Sequence, residues 1–173
     1  MLSHTSGERL SLGIAKRGSR KMNKESIFEN LTPKMLEIIN SGESLDAILA
    51  NISHSLHNSI DYYDWVGFYI MENGKLELGP YVGAATDHTT IEVGQGICGQ
   101  AADLRATFVV DDVTKEDNYL SCSINVKSEI VVPIFKGTNV FGEIDIDSHT
   151  PSAFDESDKV FLEWLAKALS SIL

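Results

Sequence analysis

The clearest pattern along the chain is a pair of hydrophobic segments in its last third. Residues 130–134 form a continuous apolar run, which predicts a buried strand. A Lys-Gly-Thr-Asn turn follows, and a second strand is predicted over residues 140–147. Alternate side chains of a strand share a face, so the acids Glu143, Asp145 and Asp147 point to one side and the isoleucines between them to the other.

Acidic side chains along one face of a central strand are costly to bury unless that face lines a solvated or ligand-filled cleft. Glu129, at the start of the first strand, is placed to join the acids of the second. Cys122, one of only two cysteines, comes shortly before it. The pattern therefore predicts a pocket floored by carboxylates with a thiol at its rim. Glu143 is predicted either to belong to this pocket or to be a solvated acid at the strand end.

Three helices are predicted from apolar positions at spacings of three and four. Thr32 and Pro33 predict the start of the first, Ser44 caps the second, and Ser152 or Asp155 caps the last. The apolar face of the second helix comprises Leu45, Ile48, Leu49, Ile52, Leu56 and Ile60, and that of the last helix Val160, Phe161, Trp164, Leu165, Ala168, Leu169 and Ile172.

Further strands precede the acidic one. Residues 63–70 are rich in aromatic and β-branched side chains and predict a strand. A Glu-Asn-Gly-Lys turn leads to a short return strand over residues 76–78, which Gly79 and Pro80 are predicted to end. Residues 81–93 have no regular pattern and are predicted to be mostly irregular.

The middle of the chain is a glycine-rich segment. Residues 94–102 predict a tight turn into a short helix, and residues 107–110 a short strand. The glycine spacing does not match a dinucleotide or phosphate loop. Hairpins outnumber crossovers in this order of elements, which predicts an α+β fold: an antiparallel sheet with helices packed on one face and ligand loops on the other.

Composition narrows the class of protein. A chain of 173 residues with 43% hydrophobic and 23% charged residues is typical of one globular domain. The net charge of −11 argues against nucleic acid or an anionic membrane as partner. We find no secretory signal, and two cysteines do not make a disulfide scaffold, so a reducing cytoplasm is expected.

The first 21 residues differ from the rest because they are polar and basic, with five Lys or Arg and one acid. We expect residues 1–21 to be a disordered extension and residues 22–173 to be a single domain. An upstream extension ahead of a start at Met22, or a short transit peptide, are the alternatives.

Several short motifs occur in an order that resembles the free methionine-(R)-sulfoxide reductases, a family of GAF-domain proteins. The resemblance spans residues 60–173 and includes a cysteine six positions before Ser128. The motifs are Asp64-Trp65-Val66-Gly67-Phe68-Tyr69, Leu78-Gly79-Pro80, Gly94-Gln95-Gly96-Ile97-Cys98-Gly99, Asp111-Asp112-Val113, Cys122, Ser128-Glu129-Ile130-Val131-Val132-Pro133-Ile134 and Ile144-Asp145-Ile146-Asp147-Ser148.

The resemblance implies a GAF-like antiparallel sheet of about six strands. The implied activity is reduction of free L-methionine-(R)-sulfoxide to methionine, with thioredoxin or a similar dithiol as electron donor. It implies no metal and no organic cofactor, and it admits a homodimer.

The family's functional positions carry over residue by residue. Cys122 matches the catalytic cysteine and Cys98 a second cysteine, which is a possible resolving thiol. The pocket acids and aromatic wall that the resemblance implies are Glu129, Asp145, Asp147, Trp65 and Tyr69, of which Glu129 and Asp147 are also candidate catalytic acids.

His88 marks a departure from the family pattern. The bacterial pattern has a further cysteine ten positions before Cys98, commonly the resolving one, and histidine stands there instead. Two routes of recycling remain open: Cys98 resolves the oxidised Cys122, or an external thiol reduces it directly.

A non-catalytic GAF module that binds a small molecule or senses redox state is the alternative function. Members that bind cyclic nucleotides carry the pattern Asn-Lys-x-Phe-Asp-Glu. Only its second half is present here, as Phe154-Asp155-Glu156.

Overall fold

One six-stranded sheet organises the part of the chain that the computed structural model describes, residues 23–116 and 125–173. Its strands are β1 (Trp65–Glu72), β2 (Lys75–Val82), β3 (Thr90–Glu92), β4 (Phe108–Val110), β5 (Ser128–Lys136) and β6 (Asn139–Ser148). The spatial order is β3-β2-β1-β6-β5-β4, and each neighbouring pair is antiparallel. The predicted antiparallel α+β fold is confirmed. Cys122 and the extension of residues 1–21 lie outside the described residues.

Three helices pack on one face of the sheet and a fourth, shorter helix packs on the other. They are α1 (Lys24–Ile39), α2 (Leu45–Ser59), α3 (Gly96–Leu104) and α4 (Glu156–Ser170). Ile144 and Ile146 point from β6 into the larger hydrophobic core, which α1, α2 and α4 complete. The short α3 packs on the opposite face, against β3, β5 and β6. Within the described ranges, no helix combines the length and the apolar character needed to cross a membrane.

The start of the first helix was predicted wrongly. It begins at Lys24, where the Asn23 side chain accepts a hydrogen bond from the backbone N–H of Ser26. Pro33 lies inside the helix, not in its first turn. The extra turns are stabilised by packing, because Phe28 is buried and stacks on Phe161 of α4 with ring centroids 4.6 Å apart. Tertiary burial therefore outweighs the unfavourable interior proline.

The predicted end of the second strand was also wrong, because β2 continues through Gly79 and Pro80. Pairing of β2 with β3 is confined to Lys75–Glu77, so the missing N–H of Pro80 falls beyond that ladder. On the other side, the register of β2 with β1 shifts between Gly67 and Tyr69, which places the irregularity opposite this segment. Strand β3 is a further difference, since residues 81–93 were predicted to be mostly irregular.

A buried carboxylate links the first and last helices to the segment between α2 and β1. Asp158 is fully buried and accepts hydrogen bonds from Lys24 Nζ at 2.6 Å and from the hydroxyls of Tyr62 and Tyr63 at 2.7 and 3.0 Å. We expect Asp158→Asn to lower the free energy of unfolding by about 2–4 kcal/mol, because it removes the buried charge that Lys24 and the hydroxyls of Tyr62 and Tyr63 share. Urea titration measures the loss. Glu156→Gln, an exposed acid on the same helix, is the matched control. Equal stability of the two variants would contradict this role.

Candidate functional site

The face of the sheet opposite the three large helices carries the acids. Across β5, β6 and β1, Glu129 pairs with Asp147, and Asp147 pairs with Trp65. One row further along β6, Asp145 lies opposite Gly67. Neighbouring strands are about 4.8 Å apart, so these side chains converge on one patch. The predicted sharing of a face by the acids of β6 and by Glu129 is confirmed.

Helix α3 closes over this patch and buries it. The exposed fractions are 4% for Glu129, 0% for Glu143 and 1% for both Asp145 and Asp147. Cys98 lies over them, with its Sγ 3.9 Å from Oε1 of Glu129. Of the two alternatives predicted for Glu143, the structure supports the first, because Glu143 is buried with the other acids and is not solvated.

Two glycines set the position of Cys98. Gly96 begins α3 with φ of 63°, a conformation that L side chains rarely adopt. A side chain at Gly99 would place its Cβ 2.4 Å from the backbone oxygen of Glu92, so only glycine lets the helix approach β3 this closely. The glycine-rich segment thus positions the Cys98 thiol against the acids.

Several of the buried carboxylate oxygens have no hydrogen-bond partner among the described residues. These atoms are Oε1 and Oε2 of Glu143 and Oδ1 of Asp145. A small cavity of about 10 Å³, roughly the space of one water, adjoins Asp145 and Glu129. Its lining residues are His88, Ile91, Gln95, Gly96, Ile97, Cys98, Glu129 and Asp145, and none of these is a lysine or an arginine.

Burial dominates the electrostatics of the cluster. It raises the pKa of Asp145 from 3.8 to about 7, against a lowering contribution from the nearby Cys98 thiol. Burial, reinforced by the charges of Asp145, Asp147 and Glu143, raises the pKa of Glu129 well above its usual value. Burial, followed by Asp145, Glu143 and Glu129, raises the pKa of the Cys98 thiol. The cluster therefore holds protons at neutral pH and favours a bound cation.

An aromatic wall borders the acids. Trp65 stacks between Tyr69 and Tyr81, with centroid distances of 6.4 and 5.3 Å. Its Nε1 donates a hydrogen bond to the backbone oxygen of Ala84. The Tyr69 hydroxyl donates to the backbone oxygen of His88 at 2.8 Å. The structure thus brings Trp65 and Tyr69 to the same face as the acids, as the resemblance implied.

Sequence reasoning missed the residues that hold the tryptophan in place. A Cβ at Gly67 or Gly83 would come within 2.3 or 2.5 Å of the Trp65 ring, so both glycines make room for the indole. The signal for Gly67 was available, because residues two apart on a strand share a face with Trp65. Gly83 and Tyr81 lie at or beyond the end of β2, which the sequence placed too early.

Cys122, the predicted nucleophile, lies outside the described residues, so its relation to Cys98 stays a prediction. His88, at the position where the resemblance implied a cysteine in the bacterial pattern, lines the cavity.

The sequence is similar to a known domain family and to curated proteins of other organisms. The GAF domain family matches residues 44–173. GAF domain-containing protein A of Dictyostelium discoideum is 36% identical over 152 residues, covering 87% of this chain and 95% of its own. Free methionine-R-sulfoxide reductase of Saccharomyces cerevisiae is 36% identical over 160 residues, covering 88% of both chains.

A solved structure extends the likeness to the fold. The X-ray structure of free methionine-R-sulfoxide reductase from Neisseria meningitidis, in complex with its substrate, superposes with a TM-score of 0.82 at 34% identity. The match covers 87% of this chain and 90% of that one. The chain therefore belongs to the GAF-domain family of free methionine-R-sulfoxide reductases, a family of oxidoreductases.

Proposed function

We propose that this chain reduces free L-methionine-(R)-sulfoxide to methionine. The observation that carries the proposal is the cluster of buried acids beside an aromatic wall, in which carboxylate oxygens of Glu143 and Asp145 have no hydrogen-bond partner among the described residues. Carboxylates buried in this way are stable only with a proton or a cation. The free α-ammonium of an amino acid supplies such a cation, and the indole of Trp65 supplies an apolar surface for the S-methyl group.

The chemistry begins with the thiolate of Cys122, which attacks the sulfoxide sulfur. A protonated carboxyl of the cluster, Glu129 or Asp147, gives its proton to the sulfoxide oxygen, which is a poor leaving group without it. The oxygen passes to the cysteine, so methionine departs and Cys122 is left as a sulfenic acid. The sulfoxide is thereby reduced by two electrons and the thiol oxidised by two.

Recycling needs a second thiol. We propose that Cys98 attacks the sulfenic acid of Cys122, releasing water and forming a disulfide, because these are the only cysteines in the chain. Thioredoxin or a similar dithiol then reduces the disulfide. The reaction is assigned to the cytoplasm, where such reductants keep thiols reduced.

The acids should confine activity to the free amino acid. Acetylation removes the positive charge of the α-amino group, and the substrate then leaves buried carboxylates without a partner. We expect kcat/KM for N-acetylmethionine-(R)-sulfoxide to be at least about a hundredfold below that of the free form. Methionine methyl ester (R)-sulfoxide keeps the ammonium and serves as the matched control for added bulk. Equal activity on the acetylated and free substrates would reject the assignment of the acids.

A further inference from the structure

The cluster beneath α3 combines a thiol with two carboxylates that lie close enough together to share a metal ion after a small shift. One atom each from Cys98, Glu129 and Asp145, the thiol sulfur and two carboxylate oxygens, lie within 4.8 Å of one another. All three side chains are buried. We propose that Cys98, Glu129 and Asp145 bind a thiophilic divalent ion of the Zn²⁺ type, and that this ion inhibits the enzyme.

The buried carboxylate oxygens of Glu143 are a second observation that favours a bound ion, independent of the distances among the three ligand atoms. Glu143 is fully buried, and neither of its carboxylate oxygens has a hydrogen-bond partner in the described ranges. It is close enough for its charge to act on the Cys98 thiol, so it supplies a third carboxylate beside the site. Since no lysine or arginine of the described residues lines the cavity, a divalent cation would displace the protons of the cluster and neutralise the carboxylates that remain.

Size and ligand type select the ion. The cavity of about 10 Å³ takes one water-sized occupant, so an ion fits where a whole substrate needs the pocket to open. Zinc–sulfur and zinc–oxygen bonds of about 2.3 and 2.0–2.2 Å require the three ligand atoms to draw together by about 1 Å. A thiolate ligand favours Zn²⁺ over Mg²⁺ and Ca²⁺, which prefer oxygen alone. The thiol proton leaves to solvent on binding.

Inhibition follows from shared ligands, and this part rests on the proposed function. The ion would occupy Glu129 and Asp145, which the substrate ammonium needs. It would also hold Cys98 as a metal thiolate and so prevent the attack on an oxidised Cys122. Zinc should therefore compete with substrate and slow recycling.

Binding is tested on reduced protein without substrate, so the result does not depend on turnover. Co²⁺ replaces Zn²⁺ as the probe, because a cobalt–thiolate bond adds a charge-transfer absorption in the near ultraviolet. We expect one Co²⁺ per chain with this absorption, displaced by Zn²⁺, in the wild type and in Cys122→Ser. Cys98→Ser should lose the absorption. Glu129→Gln and Asp145→Asn should weaken binding by more than about tenfold.

Asp103→Asn is the matched control, because Asp103 is an exposed acid on the same helix as Cys98, and it should bind as the wild type does. Far-ultraviolet circular dichroism confirms that each variant is folded. The wild-type spectrum alone suffices to overturn the proposal: no saturable Co²⁺ binding, or binding without the thiolate absorption, contradicts it. Loss of the absorption in Cys122→Ser in place of Cys98→Ser would also overturn it.

Discussion

Asp145→Asn should make the protein more stable at pH 8 and, at the same time, nearly inactive. Burial raises the pKa of Asp145 from 3.8 to about 7. At pH 8 the folded protein must therefore keep a charge in a place that disfavours it, which the neutral amide does not. We expect the free energy of unfolding to rise by on the order of 2 kcal/mol, and kcat/KM to fall at least about a hundredfold as the ammonium loses a partner.

The direction of this stability change follows from how the protonation of Asp145 depends on pH. Below pH 3.8 the carboxyl is neutral in both the folded and the unfolded states, so it has no effect on stability. As the pH rises from 3.8 to about 7 the unfolded state ionises first, and the stability of the wild type falls. The advantage of Asp145→Asn should thus be small at pH 4 and complete by pH 8. Urea titrations at both pH values measure it, with Asp103→Asn as control. An advantage that does not grow with pH would contradict the cause.

Cys122→Ser should abolish methionine formation, by at least about 10⁴-fold, because a serine hydroxyl does not replace a thiolate as nucleophile. Cys98→Ser should behave differently. It should still form one methionine per chain in a single turnover, and stop there as a sulfenic acid when thioredoxin is the reductant. Quantifying methionine after rapid quenching separates the two variants.

Peptide mapping provides the complementary measurement. Wild-type protein oxidised by substrate should contain a Cys98–Cys122 bridge, which neither variant can form. Retained turnover in Cys122→Ser would contradict the assignment of the nucleophile. An unbridged sulfenic acid in the wild type would instead reject Cys98 as the resolving thiol, leaving reduction by an external thiol.

The carboxylate face was predictable because it depends on strand periodicity alone. Acids at alternate positions of β6 fix one face, and the isoleucines between them fix the other. The burial of Glu143 was not predictable in this way. It depends on α3 lying across the sheet against β5 and β6, a long-range contact that no local pattern encodes.

The two boundary errors have the same origin. Local propensity places a helix start at Thr32 and a strand end at Pro80. Tertiary structure overrides both. The stacking of Phe28 on α4 stabilises the earlier helix start. Pro80 lies beyond the part of β2 that pairs with β3, so its lack of an N–H breaks no hydrogen bond to that strand. The contacts of Trp65 with Gly67 and Gly83 were not predicted for the same reason. Gly83 lies against the indole only because β2 continues past Gly79 and Pro80.

The most direct measurement is methionine formation from each epimer of free methionine sulfoxide, with thioredoxin recycling and then with dithiothreitol. We expect the R epimer to be reduced under both conditions and the S epimer under neither, with two cysteines sufficient for the cycle. Methionine from neither epimer, together with tight binding of the R epimer by calorimetry, would contradict the account and make the chain a binding module built on the same pocket.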